Sequence, residues 1–563
     1  MHKLAIQDIL SQNPKDAREL TRAKRQAAKR YGIELLLNNE LLTGYRELVA
    51  EGKLEPSREL ENLLRKRQIR TLSGIAPVAV LTQSYPCPGK CVYCPNEKDV
   101  PQSYLSNEPA VMRAIRCGYD PYIQVQDRIR ALEANGHATS KIELIVIGGT
   151  WSVLPRQYKY WYLANCFKAA NEFGRKQKTD DPVKSFRSHG ASRPQEGDIP
   201  SLLSKGQGEV LAQSIKKSLG LSELKKILVQ EQKKNEKSRH RLVGVTLETR
   251  PDYIDEKELL EMRQLGCTRV EIGVQAVDDE VLKINKRGHG VEAIAAATGL
   301  LRRFGFKITY HLMPGLPGSA WQKDLDMFKK LFKDPRFQPD QIKFYPTVVT
   351  KGSLLYRWWK QGKYQPYSDE ELRGLIIECK KRVPRYVRII RLIRDIPGES
   401  IEAGNLVTNL RQVMQAEGVK CECIRCREAR DKEFKKKDAA LDTIEYAVAG
   451  GREYFLSFQS RDEKTLFGFC RLFLPDDSRA HALSALRGAA LVRELHIYGR
   501  MVSPGGEKAV QHAGLGLGLL EKAEAQARKH GYGKIAVISG VGVRGYYRKL
   551  GYRLKDTYMT KKL

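Results

Sequence analysis

Cys87, Cys91 and Cys94 stand in the spacing C-x3-C-x2-C. Thiolates this close can wrap one corner of an iron–sulfur cube. A [4Fe–4S] cluster has four irons to ligate, so three cysteines leave one iron open. An open iron can take a substrate-like ligand, by the same logic that keeps a catalytic zinc site incomplete. Tyr93, just before the third cysteine, can shield such a cluster. A zinc knuckle is the competing reading. It wants a second CxxC or a histidine pair close by, and Cys117 is the only near candidate.

A second triplet, Cys421, Cys423 and Cys426, has the spacing C-x-C-x2-C, which suits zinc with a fourth ligand the sequence does not locate. Its place suggests a structural clip between domains; three unligated thiols are the alternative. Two glycine-rich stretches complete the set. Gly148, Gly149 and Thr150 close an apolar run, and alone they read as a tight turn. Gln511, Gly514 and Gly516 open a helix, where backbone N–H groups cleared of side chains suit a pyrophosphate.

The frame holding these residues is large. At 563 residues the chain has room for about three or four domains. Lysine and arginine total 98 against 66 acidic residues, a net charge of +32. That excess asks for a polyanionic partner, most simply nucleic acid. An apolar fraction of 41% excludes wholesale disorder. No run of about 18 apolar residues exists, so no membrane helix is expected. The first residues lack an apolar signal core, and the 11 cysteines do not form a disulfide framework, so a cytoplasmic location is expected.

Residues 1–74 read as a polar, basic helical segment, with Lys24, Arg25, Lys29, Arg30, Arg65, Lys66, Arg67 and Arg70 as nucleic-acid contacts or a solvated face. From residue 75 to 395 short apolar runs alternate with helical stretches: 142–147, 242–247, 269–274, 307–312 and 341–345. This βαβ series predicts a parallel sheet or partial barrel. A basic, Ser/Gly-rich stretch at about 175–241 reads as an insertion, a loop at 185–207 followed by a helix at 219–237. Arg385, Arg388, Arg391 and Arg394 recur every three residues around Tyr386, predicting a phosphate-binding surface rather than a plain charged edge strand. Residues 396–440 form a linker carrying the second triplet, and 441–563 read as a compact α+β domain.

The first triplet followed by a βαβ series resembles the radical S-adenosylmethionine (SAM) enzymes. In that family the open iron chelates SAM, and Gly148, Gly149 and Thr150 match the loop that contacts its amino group; Gln275 joins them as a SAM contact. Residues 511–516, between a strand and a helix, resemble the GNAT acetyltransferases. The combination, with the runs at 84–95, 112–116, 247–252, 271–275, 492–496 and 537–542, resembles the Elongator catalytic-subunit family from about residue 75 to the end. The resemblance implies an α/β fold, a radical-SAM partial barrel followed by an α+β GNAT domain. It implies a stand-alone bacterial or archaeal type, for which further Elongator subunits are allowed but not required. The second triplet sets the chain apart from eukaryotic members.

The activity implied is acetyl transfer to C5 of a tRNA wobble uridine, on the path to carboxymethyl-type uridines. A SAM-derived radical would take hydrogen from the acetyl methyl group, and the carbon radical would add to C5. Cluster ligands carry over to Cys87, Cys91 and Cys94. Acetyl-CoA contacts carry over to Lys141, Glu494, Leu495, His496, Ile497, Gln511, Gly514, Leu515, Gly516, Leu517 and Tyr547. Tyr547 and Tyr546 are the candidates to position or protonate the thioester; as a plain sequence feature Tyr547 would be a core aromatic. The N-terminal segment, the insertion and the arginine strand would hold the anticodon arm. A lysine acetyltransferase with a structural iron–sulfur domain is the competing reading. A radical-SAM RNA methyltransferase or thiotransferase and a non-catalytic RNA-binding scaffold complete the alternatives.

Overall fold

The computed structural model describes residues 1–65, 71, 73–174, 219–407, 409–430, 439–498 and 514–563. Four helices, His2–Ser11, Ala17–Tyr31, Asn38–Ala50 and Arg58–Leu64, open the chain. The second starts where Asp16 accepts the backbone N–H groups of Arg18 and Glu19. Leu20, Ala23 and Ala27 bury one of its stripes, and Arg18, Arg22, Arg25 and Lys29 stay exposed. Together the four helices enclose a small core of their own around Leu41, Leu42 and Leu48. Arg46 anchors them by donating to the Glu133 carbonyl at 3.1 Å.

Seven parallel strands follow: β1 (Ala76–Leu81), β2 (Lys141–Ile147), β3 (Arg241–Thr249), β4 (Arg269–Gln275), β5 (Lys307–Leu312), β6 (Gln341–Phe344) and β7 (Arg388–Arg391). They pair in chain order, an open partial barrel with helices on its outer wall. The apolar runs are strands because helices on one side and the barrel interior on the other cover both faces. The helix expected at 219–237 is Leu221–Asn235, and it is part of that wall, not of an insertion. Its Asn235 bonds to Asn171 on helix Arg156–Glu172 and accepts the Leu242 N–H at 2.7 Å, fixing the entry of β3. The loop expected at 185–207 lies outside the described residues.

The second sheet holds β8 (Ala439–Val448), β9 (Gly451–Ser460), β10 (Leu466–Pro475), β11 (Ala490–Ile497), β12 (Lys534–Val537), β13 (Arg553–Lys555) and β14 (Tyr558–Lys562). Their order is β13-β14-β12-β11-β10-β9-β8. Helix Leu515–Lys529 packs on this sheet. β11 and β12 are parallel, and their register runs only from Ala490 to Val492. Beyond Val492 they part, and among the described residues no strand pairs with the β11 backbone from Glu494 on at that side.

This domain closes the N-terminal end of the barrel strands. Gly540 sits so close to the Val243 carbonyl that a Cβ would lie 2.0 Å from its oxygen. Any side chain there would push the two domains apart. A fully buried ionic network reinforces the joint. Arg493 binds Asp340 at 2.5 Å and Glu453 at 2.5 Å, Arg302 reaches Glu453 at 3.3 Å, and Arg471 pairs with Glu494 at 3.1 Å. Burial opposes the Asp340 charge, but Arg493, Arg471 and Arg302 outweigh it and hold its carboxyl down at about 2.

Candidate active site

At the opposite, C-terminal end of the strands, the loop after β1 carries the first triplet. Backbone bonds from Val92 to the Asn285 carbonyl, 3.2 Å, and from Leu355 to the Val92 carbonyl, 2.9 Å, clamp the loop to the barrel. The loop after β2 lies beside it: Thr150 Oγ1 is 3.7 Å from Cys87 Sγ. Gly148 has φ +134°, and a Cβ there would come within 2.1 Å of Thr82 Oγ1. So glycine is required at this turn by backbone and space alike. At Gly149, φ +95°, an added Cβ would meet only the Gln102 carbonyl at 3.8 Å, leaving the backbone open to a ligand.

Gln275 ends β4 with φ +68°, and its Oε1 is buried with no hydrogen-bond partner. A buried orphan acceptor at the same end of the barrel as an open glycine backbone suits a ligand that carries hydrogen-bond donors. Cys91 is buried, and two guanidinium groups point at it. Arg287 Nη1 donates to its Sγ at 3.1 Å, and Arg250 Nη1 stands at 3.9 Å. Hydrogen bonding from Cys94 and these two cations bring the Cys91 thiol down to about 5, against the opposing effect of burial. Tyr93 is buried with its hydroxyl accepting from Arg287 at 3.0 Å.

The barrel interior below this mouth is polar. Arg269 binds Glu143 at 3.1 Å and Gln341 at 2.9 Å. His311 meets Glu271 at 2.8 Å, Lys343 binds the same carboxylate, and Tyr104 donates to Glu248 at 3.0 Å. Burial opposes the Glu271 charge, yet Lys343, His311 and Arg269 hold its carboxyl well below the usual range. Glu248 and Glu271 fall within the motif runs 247–252 and 271–275, whereas Tyr104, Glu143, Arg269, His311, Gln341 and Lys343 belong to no motif. Their signal was present, as charged side chains inside otherwise apolar parallel strands.

In the C-terminal domain, Ile497, Gly516 and Tyr546 meet at the place where β11 and β12 part. A Cβ on Gly516 would lie 3.0 Å from the Tyr546 hydroxyl and 3.6 Å from Ile497. Gly514, φ +79°, begins helix Leu515–Lys529, and a Cβ there would meet nothing within 4 Å among the described residues; Leu517 is exposed while Leu515 is buried. Residues 494–497 divide by strand alternation. Glu494 and His496 face the barrel: Glu494 pairs with Arg471 and lies 3.7 Å from Lys307, and His496 Nε2 lies 3.1 Å from the Ser73 carbonyl. Leu495 and Ile497 pack on the other side, toward the helix. Lys141 opens β2 at the end of the barrel where this domain docks, in register with Arg241. Gln511 lies outside the described residues.

Comparison with known proteins adds to this geometry. Residues 202–331 match the radical SAM superfamily model, and residues 339–418 match the radical SAM C-terminal domain model. The tRNA uridine(34) acetyltransferase of Dehalococcoides mccartyi is 42% identical over 509 residues, covering 88% of this chain and 100% of that protein. Human Elongator complex protein 3 is 35% identical, covering 97% of this chain and 93% of that protein. The solved structure of archaeal Methanocaldococcus infernus Elp3 with an N-terminal deletion aligns at a TM-score of 0.67 and 36% identity, over 87% of this chain and 99% of that one. The chain belongs to the Elongator protein 3 family. It is an enzyme of the radical SAM superfamily, and that membership implies a [4Fe–4S] cluster and SAM. The residues at the barrel mouth fit both: three cysteines on one clamped loop, cations beside the Cys91 sulfur, an open glycine backbone and an orphan acceptor.

Two expectations from the sequence change within this family frame. Tyr547 is 6% exposed, packed edge-on against Tyr546 and Tyr552, so it is a core aromatic; Tyr546, 41% exposed, is the tyrosine at the notch. The arginine strand is not an open phosphate surface. Arg385 binds Glu463, Arg388 pairs with Glu428 at 2.9 Å, and Arg394 pairs with Glu108 at 2.8 Å, which leaves only Arg391 exposed, beside Asp395. β7 is the barrel edge, and its arginines satisfy the elements that cover that edge. The exposed cations Arg18, Arg22, Arg25 and Lys29 have no carboxylate partner among the described residues. Of the other N-terminal basic residues, Arg30 pairs with Asp8 and Lys24 bonds to Asn38, while Lys66, Arg67 and Arg70 lie outside the described residues.

The second triplet surrounds the start of short helix Ile424–Arg427, with Cys421 before it, Cys423 at its N-cap and Cys426 within it, and the Ile424 N–H donates to the Val387 carbonyl at 2.9 Å, just before β7. Its three sulfurs lie within 4.8 Å of one another, and among the described residues no fourth histidine, cysteine or carboxylate joins them. Hydrogen bonds from Cys421 and Cys426 hold the Cys423 thiol well below its ordinary value.

Proposed function

We propose that this chain attaches an acetyl-derived group to C5 of the wobble uridine of tRNA, using acetyl-CoA. What carries the reading is alignment along the whole length of a tRNA uridine(34) acetyltransferase, in a chain that places a cluster-type cysteine loop and a glycine-opened helix at opposite ends of one barrel. Cys87, Cys91 and Cys94 would ligate the cluster, and Gly148, Gly149, Thr150 and Gln275 would hold SAM. When bound, these groups supply the radical chemistry that a strong acetyl C–H bond demands.

The parting of β11 and β12 offers backbone groups of residues 494–497 to the pantetheine arm. The N–H groups of residues 514–517 suit the pyrophosphate, with Gln511 and Lys141 as further contacts. Tyr546, not Tyr547, would stand beside the thioester. Phosphate contacts by Arg18, Arg22, Arg25 and Lys29 would orient the tRNA. Cys421, Cys423 and Cys426 would hold a structural zinc, with cytoplasm as the compartment.

The test is product analysis on anaerobically reconstituted protein with tRNA, SAM and acetyl-CoA. A C5-modified wobble uridine, with acetyl-CoA hydrolysis that rises on adding tRNA, is expected. A tRNA unchanged at C5 while SAM is cleaved overturns the proposal. Acetylation of lysine peptides that survives Cys91→Ala would install the lysine acetyltransferase reading instead. For the tyrosines, Tyr546→Phe should slow acetyl-CoA turnover at unchanged stability, and Tyr547→Phe should not.

A further inference from the structure

Arg287 is a buried cation with an unusual set of neighbours. It is 4% exposed. Its Nη1 donates to Cys91 Sγ at 3.1 Å and to the Tyr93 hydroxyl at 3.0 Å. Its Nη2 donates to the Gly273 carbonyl and lies 3.2 Å from His289 Nε2. Among the described residues no carboxylate stands within ion-pair distance of it. Arg250, the second cation on this sulfur, differs. Asp252 grips it at 2.9 Å and 2.7 Å, offsetting its charge locally.

A buried guanidinium without a counter-charge is costly, and proteins rarely keep one. Its two nearest ionisable neighbours are the Tyr93 hydroxyl, which burial keeps neutral, and the thiol of a cluster-type cysteine. Reduction of a three-thiolate [4Fe–4S] cluster adds one negative charge in the same low-dielectric pocket. A fixed positive charge hydrogen-bonded to a ligand sulfur favours that more negative state.

We propose that Arg287 tunes the cluster's reduction potential: its charge, offset by no carboxylate among the described residues and hydrogen-bonded to Cys91, raises the potential and makes one-electron reduction easier. Arg287 thus acts as a positioning and tuning residue through Cys91. Arg250, already neutralised by Asp252, contributes less. The inference rests on the reading that Cys87, Cys91 and Cys94 hold the cluster.

The experiment is a mediated dithionite titration of the full-length, reconstituted protein, followed by electron paramagnetic resonance, after iron and sulfide have been quantified. Arg287→Gln should load its cluster and show a more negative midpoint. A tenfold fall in the reduced-to-oxidised ratio at fixed potential is expected, which is about 59 mV for a one-electron couple. Arg287→Lys, which keeps the charge but loses the planar fork, should shift in the same direction by less. Arg250→Lys should shift least. An unchanged or higher midpoint in Arg287→Gln overturns the inference. If Arg287→Gln does not load, Arg287→Lys decides on the same criterion, and failure of both to load would assign Arg287 to cluster assembly instead. A wild-type protein that assembles no [4Fe–4S] cluster would break the underlying reading, a result distinct from all of these.

Discussion

The two cysteine triplets have the same number of thiols and nearly the same spacing, yet the fold gives them opposite surroundings. Cys87, Cys91 and Cys94 lie on a loop at the barrel mouth, beside Arg250, Arg287 and an open glycine turn. Cys421, Cys423 and Cys426 converge to within 4.8 Å on the outside of the barrel edge. A single tetrahedral ion asks its thiolates to converge, whereas a cube spreads them over separate irons. The first triplet is not among the groups drawn to single-ion distance. Spacing in sequence says that cysteines can share a centre; only their placement says which kind.

Mutation should break this comparison most sharply at Cys91. Cys91→Ala should abolish modified-uridine formation, by at least ~100-fold, with zinc content unchanged; metal analysis alongside product assay checks both. Cys423→Ala should do the reverse. It should lose zinc, keep its iron and retain the chemical step, while stability falls by about 3 kcal/mol, read from denaturant unfolding. Equal loss of activity from the two variants would erase the distinction between the triplets.

If the second triplet is a clip between domains, it shares that task with the buried arginine network. Arg493→Met would take from Asp340 and Glu453 their shortest ion pair, leaving Arg471 at 3.6 Å and Arg302 at 3.3 Å, a loss of about 3 kcal/mol. Its combination with Cys423→Ala should then be non-additive in a double-mutant cycle. The same network sets an acid limit. Asp340 has its carboxyl lowered from 3.8 to about 2, so the folded state binds fewer protons than the unfolded chain in that range. Its contribution should be fully present above pH 3.8 and fade as pH falls toward 2, and Arg493→Met should flatten that dependence.

The smallest effect concerns RNA. Replacing Arg22, Arg25 and Lys29 by alanine should weaken tRNA binding and reduce the salt dependence of log K by about 0.7–0.9 for each phosphate that is no longer neutralised. Replacing Arg385 or Arg394 should leave that slope unchanged and cost stability instead.

Much of the architecture was legible in the order of residues. The apolar runs at 142–147, 242–247 and 307–312 are β2, β3 and β5 because parallel strands covered on both faces need continuous apolar residues. β8, by contrast, carries little strand signal and overlaps the end of the expected linker at 396–440. Its residues alternate between exposed and half-buried, because it is an edge strand with one covered face, and that pattern is weak. The arginines of β7 were legible as charges, but their pairing with Glu428 and Glu108 depends on residues distant in sequence. Arg287 carried no signal at all, lying 196 positions from the cysteine it touches.

The amino-acid sequence by itself determined the chemistry available: thiol triplets at ligand spacing, glycines where backbone must approach a ligand, and a charge that asks for a polyanion. Those are local properties, fixed by residue type and separation along the chain. The tertiary structure alone decided which tyrosine stands at the notch, which arginines face solvent, and which cation lies against Cys91. These depend on long-range packing, where burial removes water and leaves each charge to the partner that the fold has brought within reach.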